Sequence, residues 1–496
     1  MGSGYDLFDW MEEQNAPVSD EDLKDPRAVM ARYADKDGYP IIPTDIWNRL
    51  NAMHRQRDVK MAFCQQLADS KAPFPLRPPP LHEAEIAFRQ LVLMPWQESV
   101  TRPARRYEAR VPYAALEDEA ALKGVITKRD RYNDCSNHFQ WENRMRCGGW
   151  NDPSPIEAWS TLKGLYGMRW TFWSMNREGP ISVETWRKSF TGSSSGAYTA
   201  AQFRPSAAKG IYGWLASPIV SAGRTFRVVD PACGWGDRLA GFYATPGAEF
   251  YAGCDPNPET YAAYAKQVAH YEVWSSGQSA EITHFEIGGR PAFRSRGASG
   301  KTVVIINAPF EDVPWFDPAV LGDTGVDIVF TSPPYFCTEK YAADTDKSND
   351  QSWSRYSTFA SWRDDFFFPM MRTASEMVRP RNGVVALNIA DPLIRNKNKE
   401  WVRSDVGDPL IEFARKELGM AYDGAGGLAL SLRPSSSDRS KLDRHSFIEP
   451  IWLFSWTSNG DQVQPPSVLH HDVFGQHEPD NSDDEGFDGD DLEDDV

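Results

Sequence analysis

Cysteine is scarce in this chain and never clustered. Its six copies (Cys64, Cys135, Cys147, Cys233, Cys254, Cys337) lie far apart with no Cys-x-x-Cys pair. That excludes a zinc ribbon or a disulfide framework and points to a reducing compartment. Cys135, His138 and Cys147 match no common ligand spacing, so structural roles and no metal are expected. Long hydrophobic runs are also missing: none approaches the roughly 18–20 apolar residues that cross a bilayer. No membrane association is expected. The opening MGSGYDLFDWMEEQ has no basic stretch followed by an apolar one, and Asp6 stands where a myristoylation signal needs Ser or Thr. The expected location is cytoplasmic, in the host cell if the protein is phage or viral.

Basic residues are absent from the last seventeen positions, DNSDDEGFDGDDLEDDV, which hold ten acids. Removing those ten charges leaves −7 of the formal −17. Such a block reads as a solvated tail or a polyanionic handle for a partner.

What remains is ordinary for a folded protein: 496 residues, 41% hydrophobic and 25% charged, enough for two or three domains. Residues 1–190 read as an accessory region of helices and proline-rich breaks, and as the expected target-recognition element. KAPFPLRPPPL is an extended segment, since proline fixes φ and removes donors, and EAEIAFRQLVLM after it has helical spacing. The aromatics from Trp141 to Trp186 are expected in a core. GSSSG (192–196) reads as a loop. Residues 191–460 then alternate strands and helices: TFRVVD, EFYAGCD, TVVII, VDIVF, NGVVALN and SFIEPIWLFSW are apolar strands, with helices inside AAQFRPSAAKGIYGWLAS (200–217) after a short entry segment, after the glycine-bearing turn, and beyond Pro258. This order predicts an α/β, Rossmann-like fold, a mostly parallel sheet with helices on both faces. Residues 461–496 form the expected acidic, disordered tail.

Ligands of open α/β sheets bind beyond the carboxyl ends of the strands, where glycines let backbone approach closely. Asp230, Ala232, Gly234 and Gly236 occupy the first such turn, in DPACGWGD. Asp255, followed by Pro256, ends the next strand, where a carboxylate can hold both hydroxyls of a ribose. Trp235 and Asp237 make this turn bulky and acidic, which suits a sulfonium or amino cation better than a diphosphate.

With these residues in place, the chain resembles the S-adenosylmethionine (SAM)-dependent amino-methyltransferases. DPACGWGDRLAG resembles their motif I, Asp255 their ribose-binding acid, and TSPPY (331–335) their motif IV; the likeness spans about residues 200–456. With QFRPSAAKGIY ahead of motif I, it is also similar to methylase-like proteins of phages and large viruses. The resemblance implies a SAM-binding methyltransferase fold acting on DNA, with cytosine N4 preferred and adenine N6 next, because cytosine enzymes tend to carry Ser in this motif. It implies that Ser332, Pro333, Pro334 and Tyr335 hold the target amino group and base, that Phe203 contacts the methionine end of the cofactor, and that Asn307, with Asp312 nearby, reads its adenine. Asn388 and Asp391 face the pocket or serve a turn, and Tyr341, Trp353 and Arg355 close over the substrate or lie on the surface. Related turns also serve RNA bases and protein amides, and a binding protein that keeps the fold without the activity is a further alternative.

A DNA partner requires local positive charge, because phosphate neutralisation supplies much of the affinity. Two stretches offer it. Residues 128–146 interleave Lys128, Arg129, Arg131, Arg144 and Arg146 with Tyr132, Phe139 and Trp141, and residues 432–444 carry Arg433, Arg439, Lys441 and Arg444.

Overall fold

The computed structural model describes residues 18–101, 107–109, 113–127, 129–167, 197–341, 348–395, 401–429 and 446–456. The GSSSG loop, the aromatics from Trp170 to Trp186, the basic loop 432–444 and the acidic tail lie outside them. Among the described residues no helix is long and apolar enough to cross a membrane. The described chain divides into two compact units: residues up to 77 with 145–200, and residues 78–144 with everything from 201 onward.

The first unit is helical. Its main helices are α1 (Pro26–Arg32), α2 (Thr44–Met53) and α3 (Gln56–Ser70). Asp25 starts α1 by accepting from Arg27 N, with Pro26 at the first position, where a missing N–H costs nothing. Leu23, Val29, Trp47, Phe63 and Trp159 fill its core, and the Trp159 indole donates to the Ala72 carbonyl at 2.8 Å.

The second unit is built on a twelve-stranded sheet. Its strands are β1 (Val100–Thr101), β2 (Tyr107–Ala109), β3 (Leu122–Ile126), β4 (Phe226–Asp230), β5 (Ala248–Cys254), β6 (Glu281–Ile287), β7 (Arg290–Arg296), β8 (Thr302–Ile306), β9 (Ile328–Thr331), β10 (Val384–Asn388), β11 (Met420–Ala429) and β12 (Ser446–Trp456). The order is β1-β3-β11-β12-β10-β9-β4-β5-β8-β7-β6, with β2 beside β12. The central five, β10-β9-β4-β5-β8, are all parallel. The chain runs outward from β4 through β5 to β8, then returns to the other side of β4 for β9 and β10. Its direction therefore reverses between β4 and β9, which opens a crevice at the carboxyl ends of those strands.

Both faces of the sheet are covered. Along β4, Val228 joins one apolar cluster and Val229 another, as the two-residue period of a strand requires. The first cluster packs helices α4 (Leu81–Leu93), α6 (Pro205–Ser221), α7 (Asp237–Ala244) and α8 (Pro258–Ser276) on the sheet, and the second packs α9 (Phe368–Val378) and α10 (Gly407–Phe413). This is the expected Rossmann-like α/β arrangement.

The single boundary expected near residue 190 is replaced by an interleaved division. Helix α4 packs into the sheet unit, with Phe88 stacked on Tyr271 at 4.6 Å, and β1 and β3 extend the sheet beyond β11. Helix α5 (Asp134–Met145) also belongs here through Phe139, whose ring lies 6.0 Å from Tyr271. An amphipathic pattern shows that a helix buries a face but carries no information about what covers it.

Candidate cofactor and active-site cleft

At the reversal point lies a cleft of about 670 Å³, partly open to solvent, lined by the turns after four parallel strands. After β4 come Pro231, Ala232, Gly234 and Trp235. Asp255, Pro256 and Asn257 follow β5, Pro309, Phe310 and Glu311 follow β8, and Ser332 and Pro334 follow β9. Of the sequence-derived candidates, the cleft therefore unites Ala232, Gly234, Asp255, Pro256, Ser332 and Pro334.

Local geometry explains the first turn. Gly234 and Gly236 have φ of 61° and 74°, the left-handed region that glycine enters without a steric penalty. A Cβ at Gly236 would also stand 2.4 Å from Gln267 Oε1 in α8. Gly236→Ala is accordingly expected to lower unfolding free energy by about 1–3 kcal/mol, measured by urea denaturation. An unchanged midpoint would contradict the close approach.

Asp230 is not on the cleft wall. It is fully buried and accepts from Arg238 Nε at 2.7 Å, from the Tyr251 hydroxyl at 2.7 Å and from Ala232 N at 3.3 Å. Arg238, 5% exposed, also donates to the Ala232 carbonyl. Burial disfavours the charge on Arg238, but Asp230 outweighs it and raises the pKa. The pair holds the turn from behind. Phe203 is behind the wall as well: it packs edge-on against Phe330 at 5.5 Å and lies beneath the Arg238 guanidinium.

Asp255 accepts from Asn257 N at 2.9 Å and from the Tyr264 hydroxyl at 3.3 Å. Burial pushes its carboxyl up to about 7, against these hydrogen bonds. Asn307 does not line the cleft; its Nδ2 donates to the Asp255 carbonyl at 2.9 Å and ties the ends of β5 and β8 together.

In the turn after β9, Ser332 is half-buried on the cleft wall, whereas Pro333 is buried. Tyr335 is anchored from the far side. Its hydroxyl donates to Glu449 on β12 and accepts from Ala390 N at 3.0 Å, and burial followed by the Glu449 charge raises its pKa well above the usual phenol value. Asn388 and Asp391 take the turn role. Asn388 Nδ2 donates to the Pro450 carbonyl at 3.1 Å, and Asp391 caps α10 by accepting from Val406 N and Gly407 N, each at 2.9 Å.

A strap, residues 348–356, forms another wall and contributes Asp350, Gln351 and Ser352. Asp350 binds Arg290 at 2.8 Å and Arg355 at 3.3 Å, and the same two arginines bind Asp312 at 2.5 and 2.9 Å. Arg355 and Asp312 are thus fasteners between strap and sheet. Tyr341 lines the cleft with its ring 5.7 Å from Trp235, and its carbonyl accepts from Trp353 Nε1 at 2.9 Å.

Much of the basic stretch 128–146 is committed to the fold. Tyr132 is buried, Arg129 pairs with Glu98 at 3.0 Å, and Arg144 is buried with Nη1 donating to Gln202 Oε1 at 3.2 Å. Cys135 lies in the apolar core, and His138 Nδ1 meets the Pro79 carbonyl at 2.6 Å. Sequence reasoning missed Arg238, Tyr251, Tyr264, Glu449, Gln351 and Asp350. Arg238 alone had a local signal, an Arg directly after the glycine turn.

No protein-family model and no curated protein matches the chain. Among solved structures it is similar to a precorrin-6y C5,15-methyltransferase from Geobacter metallireducens GS-15, at 10% identity over 47% of this chain and 81% of that one, with a TM-score of 0.23. A likeness of that order assigns neither substrate nor chemistry.

Proposed function

We propose that this protein is a SAM-dependent methyltransferase acting on the exocyclic amino group of a nucleic-acid base, with cytosine N4 of DNA first and adenine N6 next. The observation that carries the reading is the convergence of Ala232, Gly234, Asp255, Ser332 and Pro334 on one cleft at the switch point of the sheet.

The lining fits the cofactor. Asp255 offers two oxygens to ribose hydroxyls, Pro256 and Phe310 offer flat apolar surface to a purine, and the acids Asp255, Glu311 and Asp350 favour a sulfonium cation over a diphosphate. Two buried polar atoms of lining residues, Thr260 Oγ1 and Gln351 Nε2, have no hydrogen-bond partner within the protein.

Bound SAM would supply an electrophilic methyl group, the new N–C bond forming as the S–C bond breaks with its electron pair left on sulfur. The base amino nitrogen is a poor nucleophile, because its lone pair is delocalised into the ring. Acceptors aimed at its hydrogens favour the pyramidal nitrogen of the transition state. Ser332 Oγ is assigned that role, on a turn stiffened by consecutive prolines; the Pro333 carbonyl, the second acceptor that the resemblance implies, belongs to a buried residue outside the cleft lining. Tyr335, fixed through Glu449 and Ala390, holds the far side of the turn rather than titrating. The extra proton leaves after transfer. A base inside a duplex must first be flipped out, at a cost of a few kcal/mol.

The test is methyl transfer from tritiated SAM to unmethylated DNA, with RNA and total protein in parallel, followed by nucleoside mass spectrometry. Labelled N4-methylcytosine or N6-methyladenine is expected. Ser332→Ala should bind SAM like the parent and transfer about 10²-fold more slowly, the usual effect of one lost transition-state hydrogen bond. Label in protein alone would move the acceptor to a side-chain amide.

A further inference from the structure

Among the described side chains of the strap, Gln351 is the one that is both deeply buried, at 4% exposure, and left with an unused donor. Its Nε2 has no partner, yet the residue lines the cleft. A buried carboxamide donor without an acceptor costs about 1–3 kcal/mol, so the arrangement calls for an acceptor supplied from outside the chain.

The position narrows what that acceptor is. Asp350, the preceding residue, is clamped by Arg290 and Arg355 to Asp312, at the end of the Phe310–Asp312 turn after β8. This places Gln351 at the β8 side of the cleft, beside Pro309, Phe310 and Glu311. An anionic acceptor is disfavoured there, because Asp255, Glu311 and Asp350 line the same space. Aliphatic groups accept nothing. A neutral heterocycle with in-plane nitrogen lone pairs satisfies both the apolar surface and the lone donor.

We infer that Gln351 is a specificity-determining residue whose Nε2 donates to a ring nitrogen of the cofactor's purine, so that the strap forms part of the adenine pocket. The inference rests on the SAM reading above. The Arg290–Asp350–Arg355–Asp312 network is the positioning device: it fixes the strap against β8 and leaves the carboxamide little freedom to turn away.

The experiment is calorimetric titration of the full chain with S-adenosylhomocysteine and its 1-deaza, 3-deaza and 7-deaza analogues, each lacking one ring acceptor. The parent is expected to lose about tenfold in affinity for one analogue, the scale of one hydrogen bond. Gln351→Met, of similar size but with no donor, should lose the same factor for S-adenosylhomocysteine and then bind that analogue equally well. Gln351→Glu, which presents an acceptor to the nitrogen, should lose more. A Gln351→Met protein that binds S-adenosylhomocysteine like the parent, or that keeps the parent's discrimination, overturns the inference and leaves the SAM reading intact. A parent chain that binds neither SAM nor S-adenosylhomocysteine removes the SAM reading, and the inference with it. If Gln351→Met does not fold, as judged by circular dichroism, a parent that binds all three analogues equally still refutes the proposal.

Discussion

Replacing Arg238 by alanine is expected to lower stability by about 3–5 kcal/mol, because it leaves the buried Asp230 carboxylate without its cation. Tyr251 and Ala232 N would still donate to Asp230, but neither carries charge. The same change frees the Ala232 carbonyl, which Arg238 holds at the cleft wall. Cofactor affinity should therefore fall at least tenfold as well. Stability and binding separate in a second variant. Asp230→Asn with Arg238→Met removes both charges at similar volume, and neutral replacement of a buried pair is often tolerated. Denaturant melts should show most of the stability regained, while calorimetry shows SAM affinity still reduced, since nothing now clamps Ala232. If the double variant recovers both, the clamp has no role in binding.

Asp255 is expected to trade stability for affinity. Its carboxyl is raised from the usual aspartate value to about 7 by burial, so the folded protein holds a proton that the unfolded chain releases. Between about pH 4 and pH 7 the native state binds more protons than the unfolded one, and stability declines as pH rises through that window. Asp255→Asn removes the penalty. Its Oδ1 can still accept from Asn257 N, and its Nδ2 can donate to the Tyr264 oxygen once the phenol proton, which has acceptors in both Asp255 and the Gly234 carbonyl, turns to the carbonyl. The unliganded variant should be about 1–3 kcal/mol more stable than the parent at pH 8, measured by chemical denaturation. Its SAM affinity should drop about 10- to 100-fold, because an amide presents one acceptor oxygen to a ribose diol where a carboxylate presents two. For the parent, affinity should rise with pH from 6 to 8 and then level off. Calorimetry near pH 6.5 in buffers of different ionisation heats should show proton release on binding. Flat affinity across that range would mean that Asp255 does not meet the ligand in its charged form.

Some of this was legible in the chain itself. Strand periodicity, glycine placement and the Asp230–Asp255 and Ser332–Tyr335 stretches are local features, and a parallel α/β order follows once strands and helices alternate. Those local rules put the candidate residues at strand ends, whereas the reversal of strand order that opens the cleft between β4 and β9 is set by the packed sheet. Roles that depend on a distant partner were not legible. Asp230 reads like a ligand residue until Arg238 and Tyr251 are seen to surround it, and Asn307 until its amide is found on the Asp255 backbone. Tyr335 is defined by Glu449, 114 residues further along the chain. The strap and the segment 78–144 belong with the sheet for a reason no window of sequence contains. A titratable or amphipathic residue declares in sequence that it needs a partner, and only the packed chain decides which partner supplies it.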